Sequence, residues 1–171
     1  TYKLIKHNSP ETDLHFVYGP WTHGGWHESD YEGLGAIEFT KGLSADFMTD
    51  IEYPFFRYYL EGKGKRPEPV YIAASGSDEW QTMDVWPNKD LNYISLYLND
   101  GKSLSCEEET AENCVSSYAS DPSAPVPFMK DASRRDKSYM VADQSFASER
   151  ADVITFTGAP QEQVLKLQGP V

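Results

Sequence analysis

The sequence predicts a mixed fold: one strand and one helix of an α/β layer, followed by a mainly antiparallel β-sandwich. Helical periodicity is confined to residues 43–60. Beyond Pro67 the chain reads as short apolar runs separated by turn residues, the pattern of a sandwich rather than of alternating strands and helices. Between the two regimes lies Glu61-Gly62-Lys63-Gly64-Lys65-Arg66-Pro67-Glu68-Pro69, a polar, Gly- and Pro-rich connection that predicts a domain boundary. The expected division is therefore residues 1–62, a linker over 63–69, and a sandwich over 70–171.

Each element has a local reason. Leu14-His15-Phe16-Val17-Tyr18 reads as a strand entering an apolar sheet, ended by Gly19-Pro20 because proline donates no ladder hydrogen bond. Residues 21–40 contain four glycines, two tryptophans and the acidic run Glu28-Ser29-Asp30-Tyr31-Glu32, and a long irregular loop of this kind is often functional. Ser44 is the expected N-cap of the following helix, with Asp46 in its first turn. Phe47, Ile51, Phe55 and Tyr59 recur at i, i+4 and are expected to form its buried stripe, and Pro54 is expected to kink it. Strands are then expected over 70–74, 79–85, 93–98, 114–119, 138–142, 152–157 and 164–167. Asn99-Asp100-Gly101-Lys102 supplies a tight hairpin turn. No internal repeat or low-complexity segment is present.

Composition excludes some partners. The 171 residues would ordinarily make one domain, yet 27 acidic residues against 15 basic ones give a formal charge of −12. That balance opposes binding to phosphate backbones and anionic lipid, so nucleic acid and membrane surfaces are poor partners. No stretch approaches the roughly 18 apolar residues needed to span a bilayer. Thr1-Tyr2-Lys3-Leu4-Ile5-Lys6-His7 lacks the apolar core of a signal peptide, which for an internal piece would say nothing about export.

The chemistry centres on Gly19-Pro20-Trp21-Thr22-His23-Gly24-Gly25, which puts His23 on a tight loop after an apolar strand. An imidazole there suits general-base work, because a serine hydroxyl at neutral pH needs a neutral histidine to take its proton. The plainer reading packs the His23 ring between Trp21 and Trp26; the same two tryptophans are the candidate substrate-binding residues. His23 and His27 stand four apart, with Glu28 and Asp30 nearby, but Gly24-Gly25 argues against the helix that would aim both rings at one metal, and no metal site is expected. The acidic run suits either recognition of a substrate ammonium group or, more simply, a solvated loop. No Gly-x-Ser-x-Gly occurs, and Ser75 in Ala74-Ser75-Gly76 lacks the first glycine.

Four further groups complete the reading. Cys106 and Cys114 would face one another on a hairpin within disulfide reach, or else remain two buried thiols; a disulfide would favour a periplasmic or secreted protein. Trp80, Trp86 and the sandwich tyrosines fit a carbohydrate platform or an ordinary inter-sheet core, the core being the simpler reading. Arg150 with Asp152, and Asp143 with Gln144, read as polar links that fix local geometry.

Taken in order, Pro54-Phe55-Phe56-Arg57-Tyr58-Tyr59-Leu60, Pro69-Val70-Tyr71-Ile72, Trp86-Pro87, Ser120-Asp121-Pro122-Ser123-Ala124-Pro125-Val126-Pro127, Arg150-Ala151-Asp152-Val153-Ile154 and Leu167-Gln168-Gly169-Pro170-Val171 have the order and spacing of one family. From about Leu14 to Val171 the chain resembles the acyl esterases that include α-amino acid ester hydrolases, glutaryl cephalosporin acylases, cocaine esterase and X-Pro dipeptidyl-peptidases. The extended Ser-Asp-Pro segment and Leu34-Gly35-Ala36 look most like the ester hydrolase and glutaryl acylase branch. The resemblance implies the last strand and helix of an α/β-hydrolase domain followed by an incomplete jelly roll. It makes His23 the base of a serine triad whose Ser and acid precede residue 1, since the His comes last in that fold's chain order. It implies a small-molecule ester or amide substrate, no cofactor, and the remainder of the hydrolase domain as partner. Without that remainder the strand edge and helix stripe would lie bare, so the piece is expected either to self-associate as a homo-oligomer or to need the rest. The rival reading is a stand-alone β-sandwich module that binds carbohydrate or protein without catalysis.

Overall fold

A computed structural model describes all residues except 29–32, 40–41, 78, 110–114, 132, 134–136 and 169–171. The described chain falls into two compact units, Thr1–Lys89 and 90–168.

The first unit opens with a helix, α1 (Tyr2–Asn8), that the sequence reading does not anticipate. Seven residues are too few to show periodicity, and so short a helix is marginal alone in water. Packing supports it here: the Tyr2 ring lies 5.0 Å from that of Phe16. Strand β1 (Phe16–Tyr18) follows, then two short strands, β2 (Gly33–Leu34) and β3 (Ile37–Glu38), that pair antiparallel within the long loop.

The expected helix forms as three continuous pieces: α2 (Leu43–Asp46), a π-helical stretch Phe47–Glu52, and α3 (Tyr53–Glu61). Pro54 accounts for the middle piece. It has no N–H to give the Asp50 carbonyl and its ring would press on that carbonyl, and a wider turn just upstream relieves both problems. The π turn also shifts the register of the apolar stripe. Ile51 is buried, Phe47 and Phe55 are half-buried and Tyr59 is exposed, so the stripe expected to be buried is covered fully at one position only. At the C-terminus the amides of Gly62 and Lys63 return to the carbonyls of Tyr58 and Arg57, closing the helix in a Schellman-like turn.

The connection over 63–69 is not the boundary. Strand β4 (Val70–Ala73) returns beside β1 in parallel, pairing Phe16 with Val70 and Tyr18 with Ile72. Strand β5 (Trp80–Met83) then pairs antiparallel on the other side of β4, giving the order β1-β4-β5. The chain therefore makes a strand–helix–strand crossover, and the division falls between Lys89 and Asp90 instead. Central position explains burial: Val70 has no exposure, and Ile72 and Ala73 are buried beside it, together with Leu43 and Ile51 of the helix.

A polar cluster pins the foot of β1 to the helix end. His15 Nδ1 donates to the Glu68 carbonyl at 2.8 Å, and its Nε2 lies 2.8 Å from Tyr59 Oη. Tyr59 Oη and Arg66 both donate to the Asp13 carboxylate. The Tyr59 hydrogen bond first, and then Arg66, hold the Asp13 carboxyl below the usual carboxylate range. Above this cluster an apolar hollow of about 400 Å³ opens, lined by Leu14, Val17, Phe47, Ile51, Phe55 and Tyr71 among others. Among the described residues β1 has no neighbour on its second edge, and Tyr18, Tyr53, Phe56 and Leu60 stand exposed.

The second unit differs from the expected sandwich. Its described residues carry one three-stranded sheet: β6 (Tyr97–Asn99) pairs antiparallel with β7 (Ser103–Ser105), and β8 (Thr157–Gly158) lies parallel to β7. The turn at Asp100–Lys102 makes the expected hairpin. The segment expected as a strand over 138–142 is instead a 3₁₀ helix, Lys137–Val141; residues 115–119 and 164–167 form no strand, and 152–157 contributes only its last residue. Strand-like composition needs a partner to become a strand, and in this unit Ile94, Leu96, Leu98, Val115 and Val164 are exposed rather than stacked against a second sheet. Trp80 and Trp86 lie in the first unit, where their rings pack on Trp21 and Phe16 respectively.

Local polar links hold the second unit together. Asn99, itself buried, donates to Ser105 Oγ at 2.9 Å and to the Glu107 carbonyl at 2.8 Å. Arg150 grips Asp152 through two nitrogens at 2.7 and 2.6 Å and reaches the Ala124 carbonyl at 3.1 Å. Asp143 caps Ser145 through both amide and hydroxyl, and Gln144 donates to the Phe128 carbonyl.

Candidate functional site

The candidate site is the turn that leaves the end of β1. Gly19 begins it, and its backbone passes so close to Trp21 that a Cβ there would sit 2.1 Å from the indole ring. Only glycine allows the chain to fold the Trp21 ring back over the strand end. That ring then stacks on Phe47 and Trp80, at centroid distances of 5.0 and 5.5 Å, and its Nε1 donates to Ser44 Oγ at 2.7 Å.

After Trp21 the chain turns tightly. The Gly25 amide donates to the Thr22 carbonyl at 2.9 Å, and Gly24 has φ +88°, a left-handed conformation that a side chain would strain. A single 3₁₀ turn, Gly25–His27, follows. Thr22 and Gly25 are buried while His23 between them is exposed, so the turn is rooted in the unit and lifts one imidazole into solvent. The Trp26 and His23 rings meet edge to face at 5.7 Å, and the His27 ring lies 5.7 Å from that of Trp26.

The geometry sorts the residues named from the sequence. His23 and Trp26 are together; Trp21, a candidate for substrate contact, is committed to packing and to Ser44. Ser44 is not the helix cap. Gly42 holds that position, and Ser44 sits inside α2 with no solvent exposure, its Oγ accepting from Trp21 and donating to the Gly25 carbonyl at 3.1 Å. Local pattern offers no signal for this role, because the hydroxyl's partners lie far from it in the chain. Ser75 lies in an exposed turn after β4. Asp30 and the rest of the acidic run beyond Glu28 fall outside the described residues, as does Cys114; Cys106 follows β7 on an exposed bend, so the cysteine pairing lies partly outside them too.

No family model and no curated protein matches the chain. Six solved chains do. An aminopeptidase from the marine sediment archaeon Thaumarchaeota archaeon superposes with a TM-score of 0.78 at 29% identity, covering 90% of this chain and 26% of its own. An α-amino acid ester hydrolase, in selenomethionine-labelled form, gives a TM-score of 0.79 at 31% identity, covering 93% of this chain and 28% of its own. The chain thus spans about a quarter of the length of these structures. Over nearly all of its own length it is similar to part of a hydrolase, and the two likenesses support the acyl esterase and X-Pro peptidase-like group that its motifs resemble.

Proposed function

We propose that this chain is the histidine-bearing segment of a serine-dependent acyl hydrolase that cleaves esters or amides of small acyl groups, the nucleophilic serine and the acid being supplied from outside these 171 residues. The observation that carries the proposal is the exposed His23 on a rooted turn at the end of a parallel strand. The likeness to an α-amino acid ester hydrolase and an aminopeptidase supports it and favours α-amino acyl or related side chains as the acyl group.

In this reading His23 takes the serine proton as the hydroxyl attacks the carbonyl, and returns it to the leaving alcohol or amine as the acyl-enzyme forms. It then takes a proton from the water that attacks the acyl-enzyme and passes it to the serine oxygen as the acid departs, which restores both the serine and the neutral imidazole. The chemistry calls for no cofactor. Trp26, edge to face with the imidazole, would limit the ring's rotation and border the acyl pocket. The bare edge of β1 and the hollow beside it would receive the remainder of the hydrolase sheet.

The test is His23→Ala in the full-length protein. Loss of a triad member disables the unit, so kcat for an activated ester is expected to fall by roughly three or more orders of magnitude with thermal stability nearly unchanged, since the side chain is exposed. A fluorophosphonate probe is expected to label a serine outside residues 1–171. Labelling within them, or a loss of less than about tenfold in the variant, refutes the proposal.

A further inference from the structure

Resting on that reading of His23, we propose that Ser44 is its positioning residue: one buried hydroxyl that fixes both shoulders of the histidine turn. Trp21 stands two residues before His23 and Gly25 two residues after it. Ser44 Oγ accepts from the Trp21 indole at 2.7 Å and donates to the Gly25 carbonyl at 3.1 Å. A hydroxyl has one proton to give, and it is spent on Gly25; the indole N–H occupies an acceptor site. The same atom therefore sets the span of the turn from both ends.

Several observations make this more than packing. Ser44 is wholly buried inside α2, where serine is a mediocre helix former and where its hydroxyl caps nothing. A buried hydroxyl without partners is costly, so a serine at this place is explained by the two bonds it makes. Gly25, which receives the hydroxyl's proton, is also the residue whose amide closes the turn onto Thr22. Helix α2 leads through the π stretch into α3, whose end is tied to the foot of β1, so the hydroxyl refers the histidine to the same frame that holds the strand. For a base that must meet a hydroxyl within hydrogen-bond reach, that reference sets the rate while adding nothing to substrate affinity.

Two measurements separate this proposal from the function on which it rests. In the full-length protein, the Trp21 Nε1–H is expected to exchange slowly with solvent, and Ser44→Ala to speed that exchange by about tenfold or more while the amides of Val70–Ala73 keep their protection. The His23 ring signals should broaden or split in the same variant. In the full-length hydrolase, Ser44→Ala should lower kcat about tenfold or more with KM within about twofold, and Ser44→Cys, which keeps the volume and a weak donor, should recover part of the loss. If Ser44→Ala loses the Val70–Ala73 protection, Ser44→Cys alone decides by the same readouts. Unchanged Trp21 exchange, or lost Trp21 protection with kcat at the wild-type value, overturns the positioning role. An active His23→Ala protein would refute the proposed function instead, and the Trp21 exchange and His23 signals would still decide whether Ser44 holds the turn.

Discussion

Replacing Gly19 with alanine probes the root of the histidine turn most directly. The added methyl would lie 2.1 Å from Cζ3 of Trp21 and 2.4 Å from Cε3 and Cη2, well inside van der Waals contact. Neither partner yields easily, because Gly19 is backbone and the indole is held by Phe47, Trp80 and the Ser44 hydroxyl. Overpacking of this kind costs about 1–3 kcal/mol. If the ring swings away to relieve it, the indole and the Ser44 hydroxyl lose their bond, at about 1–3 kcal/mol for buried polar groups left unpaired. The two costs are alternatives, so the expected loss is about 1–3 kcal/mol, which in a unit of this size lowers the midpoint by at least about 4 °C. Urea unfolding followed by tryptophan fluorescence measures it, with the midpoint expected to fall and the slope to stay constant. A Gly19→Ala protein within about 0.5 kcal/mol of wild type would mean that the Trp21 ring is free to move, and would undo the account of a rooted turn.

Two other expectations follow from the same unit. Val70→Ala removes two methylenes' worth of apolar surface from the central strand, where the wild-type residue has no exposure, and should cost about 2–3 kcal/mol in denaturant unfolding; a change below about 0.5 kcal/mol would show that β4 is not the core strand. Acid should weaken the unit through Asp13: its carboxyl is held below its ordinary value by Tyr59 and then Arg66, so it stabilises the fold above the unfolded value near 3.8 and loses that contribution as pH falls through its folded value. Asp13→Asn should accordingly be less stable than wild type at neutral pH and converge on it as the pH falls through the folded value of the Asp13 carboxyl, whereas a gap that stays constant on acidification would contradict the linkage.

What could be read from the sequence was whatever lies within a few residues of its own cause. Gly19-Pro20 ends a strand, the i, i+4 apolar spacing marks a helix over 43–60, Asp100-Gly101 turns a hairpin, and Val70 to Ala74 reads as an apolar strand; each emerges in the structure near its expected place. The position of His23 on the turn after β1 belongs to the same class, since glycines and a strand end beside it specify a loop. The parallel pairing of β1 with β4 was not legible, because an apolar run carries no mark of which strand it will join, and that pairing moved the division of the chain from 63–69 to Lys89. Nor could composition distinguish sandwich strands over 90–168 from segments that stay irregular or turn into 3₁₀ helix, since the difference lies in whether a neighbour supplies backbone partners. Trp21 and Ser44 show the limit most plainly: one reads as a substrate-contacting aromatic or a packing partner of His23 and the other as a helix cap until distant chain is brought against them. Hydrogen bonds and ring contacts between residues remote in sequence exist only once the chain has closed, and it is those contacts that hold the candidate base in place.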